Sequence, residues 1–342
     1  MDIGIDLGTA NIMISLGGKG VVLYEPSVVA FNKKTEEIIA IGTEAYKMIG
    51  KTPDYIAVIR PLSDGVVCDY DMTESMLAEF VHRVTGKQML MPRIVMCVPS
   101  MVTDVESRAV IDATRRAGAQ KVYLIEEPVA ALLGAGVDIS PAKGHMVVDI
   151  GGGTTDIAVV SMNGTVAKCS LKVGGNKLDA AIMRYVQSRY RVTIGERTAE
   201  NAKISLANVF EPDGSRTMEV RGINLVTGLP ARVRLYDYDI YKAITDVVLE
   251  IIQGIRDILE ITPPELAGDI YIEGILLTGG GALINGLDKL IERDTGVRAV
   301  VVDDPLRCVA KGTSIAFNKL DVLLDGFEKI SLYRYSDQST ID

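Results

Sequence analysis

Two stretches of the chain share one plan. "IGIDLGTANIMISL" (residues 3–16) and "MVVDIGGGTTDIAVVSM" (146–162) each read as strand, acid, glycine turn, threonine, strand. Aliphatic and β-branched residues favour extended pairing on both sides, and the tight turn after each aspartate needs the backbone freedom that glycine supplies at little cost. A hairpin that recurs in the second half predicts two similar halves, and 342 residues suffice for two compact domains.

The segments after each hairpin are mixed. "TESMLAEFVHRVTG" and "ESRAVIDATRRAGA" carry apolar residues at helical spacings, whereas "GVVLYEPSVVAF" is strand-like. "RIVMCVP" (93–99) is apolar throughout, as in a strand covered on both faces, and "KVYLIEEP" (121–128) reads as its neighbour. In the second half "LDAAIMRYVQSRY", "ERTAENAKISLANV" and "DIYKAITDVVLEIIQGIRDILEI" read as helices, and "GSRTMEVRGINLVTGLPARVRL" as short strands of a small subdomain. Periodicity fades after about residue 330, where loose packing is expected. The class is α/β.

With 48% hydrophobic and 24% charged residues the chain has the make-up of a globular protein. A net charge of −9 argues against nucleic acid as a partner and against broad adhesion to anionic lipid, since basic surface holds both first. Any membrane contact must be local. Cys68, Cys97, Cys169 and Cys308 form no CxxC pair and only His82 and His145 accompany them, so neither a zinc site nor a disulfide framework is expected; a reducing cytoplasm fits. The opening residues show no leader pattern, and no uncharged apolar run reaches the roughly 20 residues that span a bilayer. A soluble or peripheral protein is expected.

Asp6 and Asp149 occupy equivalent places in the two hairpins. Two carboxylates facing one cleft suit a hydrated Mg²⁺, which needs only one or two protein carboxylates beside nucleotide phosphates. The turns, Gly8, Thr9, Ala10 and Asn11 in one and Gly151, Gly152, Gly153 and Thr154 in the other, bring backbone N–H groups within reach of phosphate oxygens. Either turn alone is more often only a turn; paired, each with its acid, they point to a triphosphate. "GGKG" (17–20) lacks the GxxxxGK[ST] spacing and reads as a plain turn. A third cluster, "ILLTGGGALINGLDKLI" (275–291), is strand, triple glycine, helix, and offers Gly279, Gly280, Gly281 and Ala282 for close approach to a nucleotide.

In this order "DLGTAN", "DIGGGTTD" and "LLTGGGALINGL" resemble the phosphate and adenosine motifs of the actin, heat-shock chaperone and sugar kinase superfamily. Within it "IEEPVAALLGAG", "IGERTAENAKISL", "TPPEL" and "DDPLRCVAKGT" resemble the MreB/Mbl family of bacterial actins, over residues 1 to about 318. The resemblance implies an actin-like, duplicated ribonuclease H-like α/β fold with nucleotide in the cleft between two domains. Domain I would span 1–145, with a larger subdomain at 1–31 and 66–145 and a smaller one at about 32–65. Domain II would span 146–320, with a larger subdomain at 146–181 and 246–314 and a smaller one at about 182–245. Residues 315–342 would return to domain I as a helix and end in a polar tail. The resemblance further implies ATP and its product ADP with Mg²⁺, Glu127 orienting the attacking water with help from Thr154, and Glu200 and Lys203 on the ribose and adenine side. The function implied is a slow ATPase that assembles into double protofilaments and guides cell-wall elongation with membrane proteins of that machinery, on the inner face of the cytoplasmic membrane. A plasmid-segregating actin is the nearest alternative; a heat-shock chaperone would need a peptide-binding domain, and a sugar kinase a catalytic base that has no candidate here. Two residues depart from the family pattern: Ile12 stands in place of a threonine, removing a hydroxyl near the first turn, and Asn176 in place of an aspartate.

"GKQMLMPR" (86–93) sets Met89, Leu90 and Met91 between a glycine and a proline. By pattern the triplet opens the core strand after it. Yet Gly86 suits a helix end and Pro92 interrupts strand pairing, which leaves a surface loop. With Arg83, Lys87 and Arg93 around it, the loop suits shallow insertion among lipid head groups. The resemblance implies membrane contact through an apolar loop at this position, an N-terminal amphipathic helix, or both; with no amphipathic leader pattern in the opening residues, contact through the loop is the expectation.

Overall fold

The computed structural model describes residues 1–86 and 92–323 and the backbone of 327–328. Strands β1 (Asp2–Leu7), β2 (Asn11–Leu16), β3 (Gly20–Pro26), β4 (Arg93–Val98) and β5 (Lys121–Glu126) form one sheet in the order β3-β2-β1-β4-β5. Strands β6 (His145–Ile150), β7 (Thr155–Ser161), β8 (Gly164–Leu171), β9 (Ile275–Thr278) and β10 (Ala299–Val301) form a second, β8-β7-β6-β9-β10. The two orders are the same. In each, the first three strands are joined by tight turns and run antiparallel, while the last two are reached by long crossovers and run parallel. Asp6 and Asp149 therefore both end a central strand, where α/β sheets present their ligand crevice.

Two helices lie between the sheets: Glu127–Gly134, which follows β5, and Cys308–Ala316, which follows β10. Their apolar side chains share one core with Val95, Cys97, Tyr123 and Ile125 of the first sheet and Val147, Ala158 and Val160 of the second. The crossing is unusually close. A methyl group added to Gly134 would stand 1.8 Å from the Cys308 carbonyl oxygen, and one on Gly312 would stand 1.7 Å from that of Ala130. The backbones touch directly, and the Cys308 thiol donates to the Ala131 carbonyl at 3.1 Å. The outer sheet faces are covered by helices such as Tyr70–Thr85 and Asp104–Arg116 on one side and Gly175–Tyr190 and Asp237–Ile261 on the other, each with its own core.

Each large sheet carries a small antiparallel one. Val29–Asn32, Ile38–Ile41 and Ile56–Ile59 pair beside helix Thr43–Met48; Val192–Thr193, Thr217–Asn224 and Pro230–Tyr236 pair beside helix Glu196–Leu206. The chain re-enters the first sheet as a strand, Phe327–Glu328, antiparallel to β5. The sequence reading places a returning helix from residue 315; among the described residues the helix at this point is Cys308–Ala316, with Gly312 at the crossing, and a 3₁₀ turn, Phe317–Lys319, follows it. No helix among the described residues is long and apolar enough to cross a membrane.

The crossing sets a test. Gly312→Ala is expected to destabilise the fold by roughly 3 kcal/mol, since the carbonyl it would strike is helix backbone and cannot swing aside. Gly268→Ala, in a helix where an added methyl meets nothing within 4 Å, should be neutral or stabilising by up to about 1 kcal/mol. Denaturant midpoints of the two variants measure the contrast, and equal midpoints would refute it.

Candidate functional site

The β1–β2 and β6–β7 turns meet at the floor of a cleft of about 370 Å³. A methyl group on Gly152 would fall 2.5 Å from the Ala10 Cβ, and one on Gly153 would fall 2.6 Å from the Thr9 hydroxyl. Glycine here lets the turns touch, as its lack of Cβ allows. The Thr9 hydroxyl accepts from Gly65 N at 2.9 Å. Gly175 N and Asn176 N donate to the carbonyls of Gly151 and Gly152 at 3.0 and 2.8 Å, which ties the start of helix Gly175–Tyr190 to the second turn.

The structure gathers nearly all of the sequence-derived candidates in this one cleft. Asp6, Gly8, Thr9, Ala10, Asn11, Glu127, Asp149, Gly151, Gly152, Gly153, Thr154, Glu200, Lys203, Gly279, Gly280 and Gly281 line it. Ala282 does not. The triple glycine runs into a 3₁₀ turn, Gly280–Leu283, before helix Leu287–Thr295 begins, and that winding turns Ala282 into the second core while Leu283 and Ile284 face the cleft. Asn176 is also in the wall. Ile12 is not: side chains alternate along β2, so Asn11 and Met13 face the cleft and Ile12 is fully buried in the first core. Its replacement of threonine removes no hydroxyl from the cleft.

The floor concentrates negative charge. Asp149 is 4% exposed and accepts from the Thr278 hydroxyl at 2.6 Å. Its carboxyl is pushed up to about 7 by burial and by Asp156, and that of Asp6 to about 7 by burial and by Asp149. Glu127, 8% exposed, is held well above the usual range by burial and then by Asp156, Asp149 and Asp6. Asp156 is wholly buried opposite Asp149 in the hairpin and accepts from Ser100 N at 2.7 Å. Among the described residues no ion pair reaches any of these four acids, nor does any group of three or more potential ligands gather as a metal cage. Two like-charged carboxyls held together without a counter-charge fit a divalent cation that keeps most of its waters, with Asp6 and Asp149 as its protein contacts. Of the "EEP" acids only Glu127 reaches the cleft; Glu126 accepts from Lys168 Nζ at 2.5 Å instead.

Toward the mouth, the Lys203 ammonium donates to Gly175 O at 3.0 Å and to Asp179 Oδ2 at 2.9 Å. The Tyr46 hydroxyl donates to Glu200 Oε2 at 2.5 Å, Arg60 pairs with Glu196 at 2.6 Å, and the Arg197 guanidinium lies 4.9 Å from the Tyr46 ring centre. These contacts join the two small sheets' units across the opening. An apolar wall of Ile204, Ala207, Leu283, Ile284, Pro305 and Leu306 faces them. Sequence reasoning missed Asp156, Asp179 and Tyr46. The first two follow glycine turns at short spacing, in "DIGGGTTD" and "GGNKLD", and were open to inspection; Tyr46 carries no such signal.

Met89, Leu90 and Met91 lie outside the described residues, as does Lys87. Helix Tyr70–Thr85 does end at Gly86. The arginines read as a basic rim are already engaged: Arg93 grips Asp2 with two bonds of 2.8 and 2.6 Å, and Arg83 pairs with Glu79 and Glu25.

The family model described as MreB/Mbl protein matches residues 1–325. The cell shape-determining protein Mbl of Bacillus subtilis is 45% identical over 323 residues, covering 94% of this chain and 97% of Mbl. The cell shape-determining protein MreB of Escherichia coli is 45% identical over 327 residues, 94% of each chain. The crystal structure of MreB5 of Spiroplasma citri bound to ADP superposes with a TM-score of 0.89 at 38% identity, covering 93% of this chain and 96% of that one. The fold is thus actin-like.

The crowded acids predict how the protein behaves with its cleft empty. Because Asp6 and Asp149 titrate near 7 in the fold against 3.8 in an unfolded chain, their contribution is most favourable below about pH 4 and is lost as pH rises to about 7. Asp6→Asn removes one of the two charges. It is expected to raise the thermal midpoint at pH 8 by a few degrees and to flatten the pH dependence between 5 and 8, as read by differential scanning calorimetry. A midpoint below wild type at pH 8 would contradict this.

Proposed function

The chain belongs to the MreB/Mbl family, and we propose that it is an ATP-dependent filament protein that associates with the inner face of the cytoplasmic membrane and directs cell-wall elongation. The observation that carries this reading is the meeting of two matched hairpin turns, each with its own carboxyl, on the floor of one cleft. Backbone N–H groups of Gly8–Asn11 and Gly151–Thr154 are suited to a triphosphate, as side chains in their place would not be. Asp6 and Asp149 would hold Mg²⁺, which when bound offsets charge on the phosphate oxygens. Glu127 would accept a hydrogen bond from the attacking water and set its line of approach, with Thr154 beside it, and buried Asp156 would fix the orientation of Glu127. Phosphoryl transfer asks for little beyond such positioning, so slow turnover follows from a site with one orienting acid and no strong base. That MreB5 is held in complex with ADP and that Mbl and MreB are named for determining cell shape supports the same reading.

Filaments, double protofilaments in this proposal, place many copies side by side on one surface. A weak hydrophobic foot at Met89, Leu90 and Met91 would then suffice, because avidity multiplies it. With Arg83 and Arg93 committed to Asp2, Glu79 and Glu25, the apolar triplet rather than a basic rim would provide the lipid contact. Membrane proteins of the elongation machinery are the proposed partners.

Two experiments test the proposal. ATP with Mg²⁺ should convert the protein to sedimentable polymer, and Glu127→Ala should keep ATP binding while slowing phosphate release by at least tenfold; an unchanged hydrolysis rate would remove Glu127 from its role. Replacing Met89, Leu90 and Met91 together by serine should abolish co-sedimentation with vesicles of bacterial polar lipids while leaving ATP-driven assembly intact. Retained vesicle binding would place the contact elsewhere.

A further inference from the structure

The small sheet beside helix Glu196–Leu206 turns one face inward and the other to solvent. Along Thr217–Asn224 and Pro230–Tyr236, Val220, Val233 and Leu235 join the second core, while Glu219, Arg221, Arg232, Arg234 and Tyr236 stay exposed. The register sets Arg221 directly opposite Arg232, and Glu219 opposite Arg234. Opposed side chains stand about 5 Å apart, and like charges so placed work against the pairing of the strands. Glu219 meets only part of this charge. It reaches Arg232 at 3.4 Å, and neither Arg221 nor Arg234 has an ion pair or hydrogen bond among the described residues. On a chain of net charge −9 these arginines are a local reversal of sign, suited to an anion from outside.

Tyr236 carries this face into a groove of about 490 Å³, where Tyr190, Tyr238, Pro212 and Arg189 stand around it. The two carboxyls of the groove are already engaged. Asp239 accepts from the Tyr185 and Tyr190 hydroxyls at 3.0 and 2.8 Å and from Tyr236 N at 3.0 Å, and Asp213 accepts from Ser215 N at 3.0 Å and its hydroxyl at 2.6 Å. Tyr190 is therefore held in place, and the groove presents aromatic rings and a guanidinium, the side chains that protein interfaces use as anchors. Shape narrows the occupant further. A lipid surface is broad and flat, whereas this basic area is two strands wide and ends in a hollow. An extended segment places alternate side chains on one side roughly 7 Å apart. That is also the step from Arg232 to Arg234, and from Arg234 to Tyr236.

We propose that this face docks an extended acidic segment of a partner protein. Carboxylates at alternate positions of the segment meet Arg221, Arg232 and Arg234, where the planar guanidinium matches a carboxylate with two bonds, and an aromatic or aliphatic side chain follows into the tyrosine groove. Nothing in this contact depends on what fills the cleft.

The probe is a fluorescein-labelled peptide, Glu-Thr-Glu-Thr-Phe-Thr-Glu-Thr-Glu, titrated with the full chain and read by fluorescence anisotropy. At about 50 mM salt wild type should bind it at least about tenfold more tightly than the same peptide with glutamine for glutamate, and the ratio should shrink severalfold at about 300 mM. Arg221→Gln with Arg234→Gln should bring the ratio to within about twofold of unity while leaving the thermal midpoint at or above that of wild type, because a like-charge pair is relieved. A merely structural role for these arginines would lower the midpoint. Tyr236→Ser should weaken the peptide severalfold at either salt, and should not change binding of a version with serine for phenylalanine. Wild type that binds the acidic and neutral peptides equally overturns the inference, as does a folded double variant that keeps the full preference. Without a peptide preference, loss of phosphatidylglycerol vesicle binding in the double variant would assign the face to lipid, and loss of self-association in sedimentation velocity would assign it to a second copy; either result overturns the partner segment.

Discussion

The contact on which the rest depends is the crossing of two helices at Gly134 and Gly312, where backbone meets backbone with no side chain between. It fixes how near the two sheets can come, and therefore whether their hairpin turns touch. With a side chain at either glycine the helices would part by an ångström or more, and the fit of Gly152 on Ala10 and Gly153 on Thr9 would open. A cleft floor built from two separate sheets is only as well defined as the distance between them. Small residues at the crossing make that distance short and rigid.

The same closeness carries a cost. Bringing the ends of β1 and β6 together sets Asp6, Asp149, Asp156 and Glu127 in one poorly solvated corner, where burial raises all four carboxyls and neighbouring acids raise those of Asp6, Asp149 and Glu127 further. A chain selected for stability alone would not keep them, since an unpaired buried charge is among the most destabilising of groups. Whatever neutralises the corner binds the folded state and not the unfolded one, and so stabilises the fold by mass action. Stability and occupancy of the cleft are coupled through these four residues.

Much of this was legible in the sequence because it is local. A strand, an acid and a glycine turn lie within ten residues, so both hairpins, their two acids and the glycine turns of the cleft floor could be read without knowing the fold. Of the third glycine cluster, Gly279, Gly280 and Gly281 line the cleft but Ala282 does not: one residue of 3₁₀ winding decides whether it faces the cleft or the core. Ile12 was misjudged for a like reason, since proximity to a turn says nothing of which sheet face a side chain takes. Arg83 and Arg93 look free in sequence because Asp2 and Glu25 are distant in the chain. Tyr46 reaches Glu200 across 154 positions, and no local pattern announces such a pair.

The cleft is held unevenly, and this bears on how it can move. Its floor is two glycine turns packed directly on each other. Its mouth is closed by the Tyr46–Glu200 bond, the Arg60–Glu196 pair and the Arg197–Tyr46 stacking, all partly exposed. Exposed ion pairs contribute about 0–1 kcal/mol each, and cation–π contacts at such sites about as much. Together they amount to no more than a few hydrogen bonds from an occupant. The mouth is therefore the weaker of the two attachments, and a donor within the cleft would compete with Tyr46 for Glu200. An occupant that gained Glu200 as an acceptor would thus weaken the mouth without disturbing the contacts of the floor.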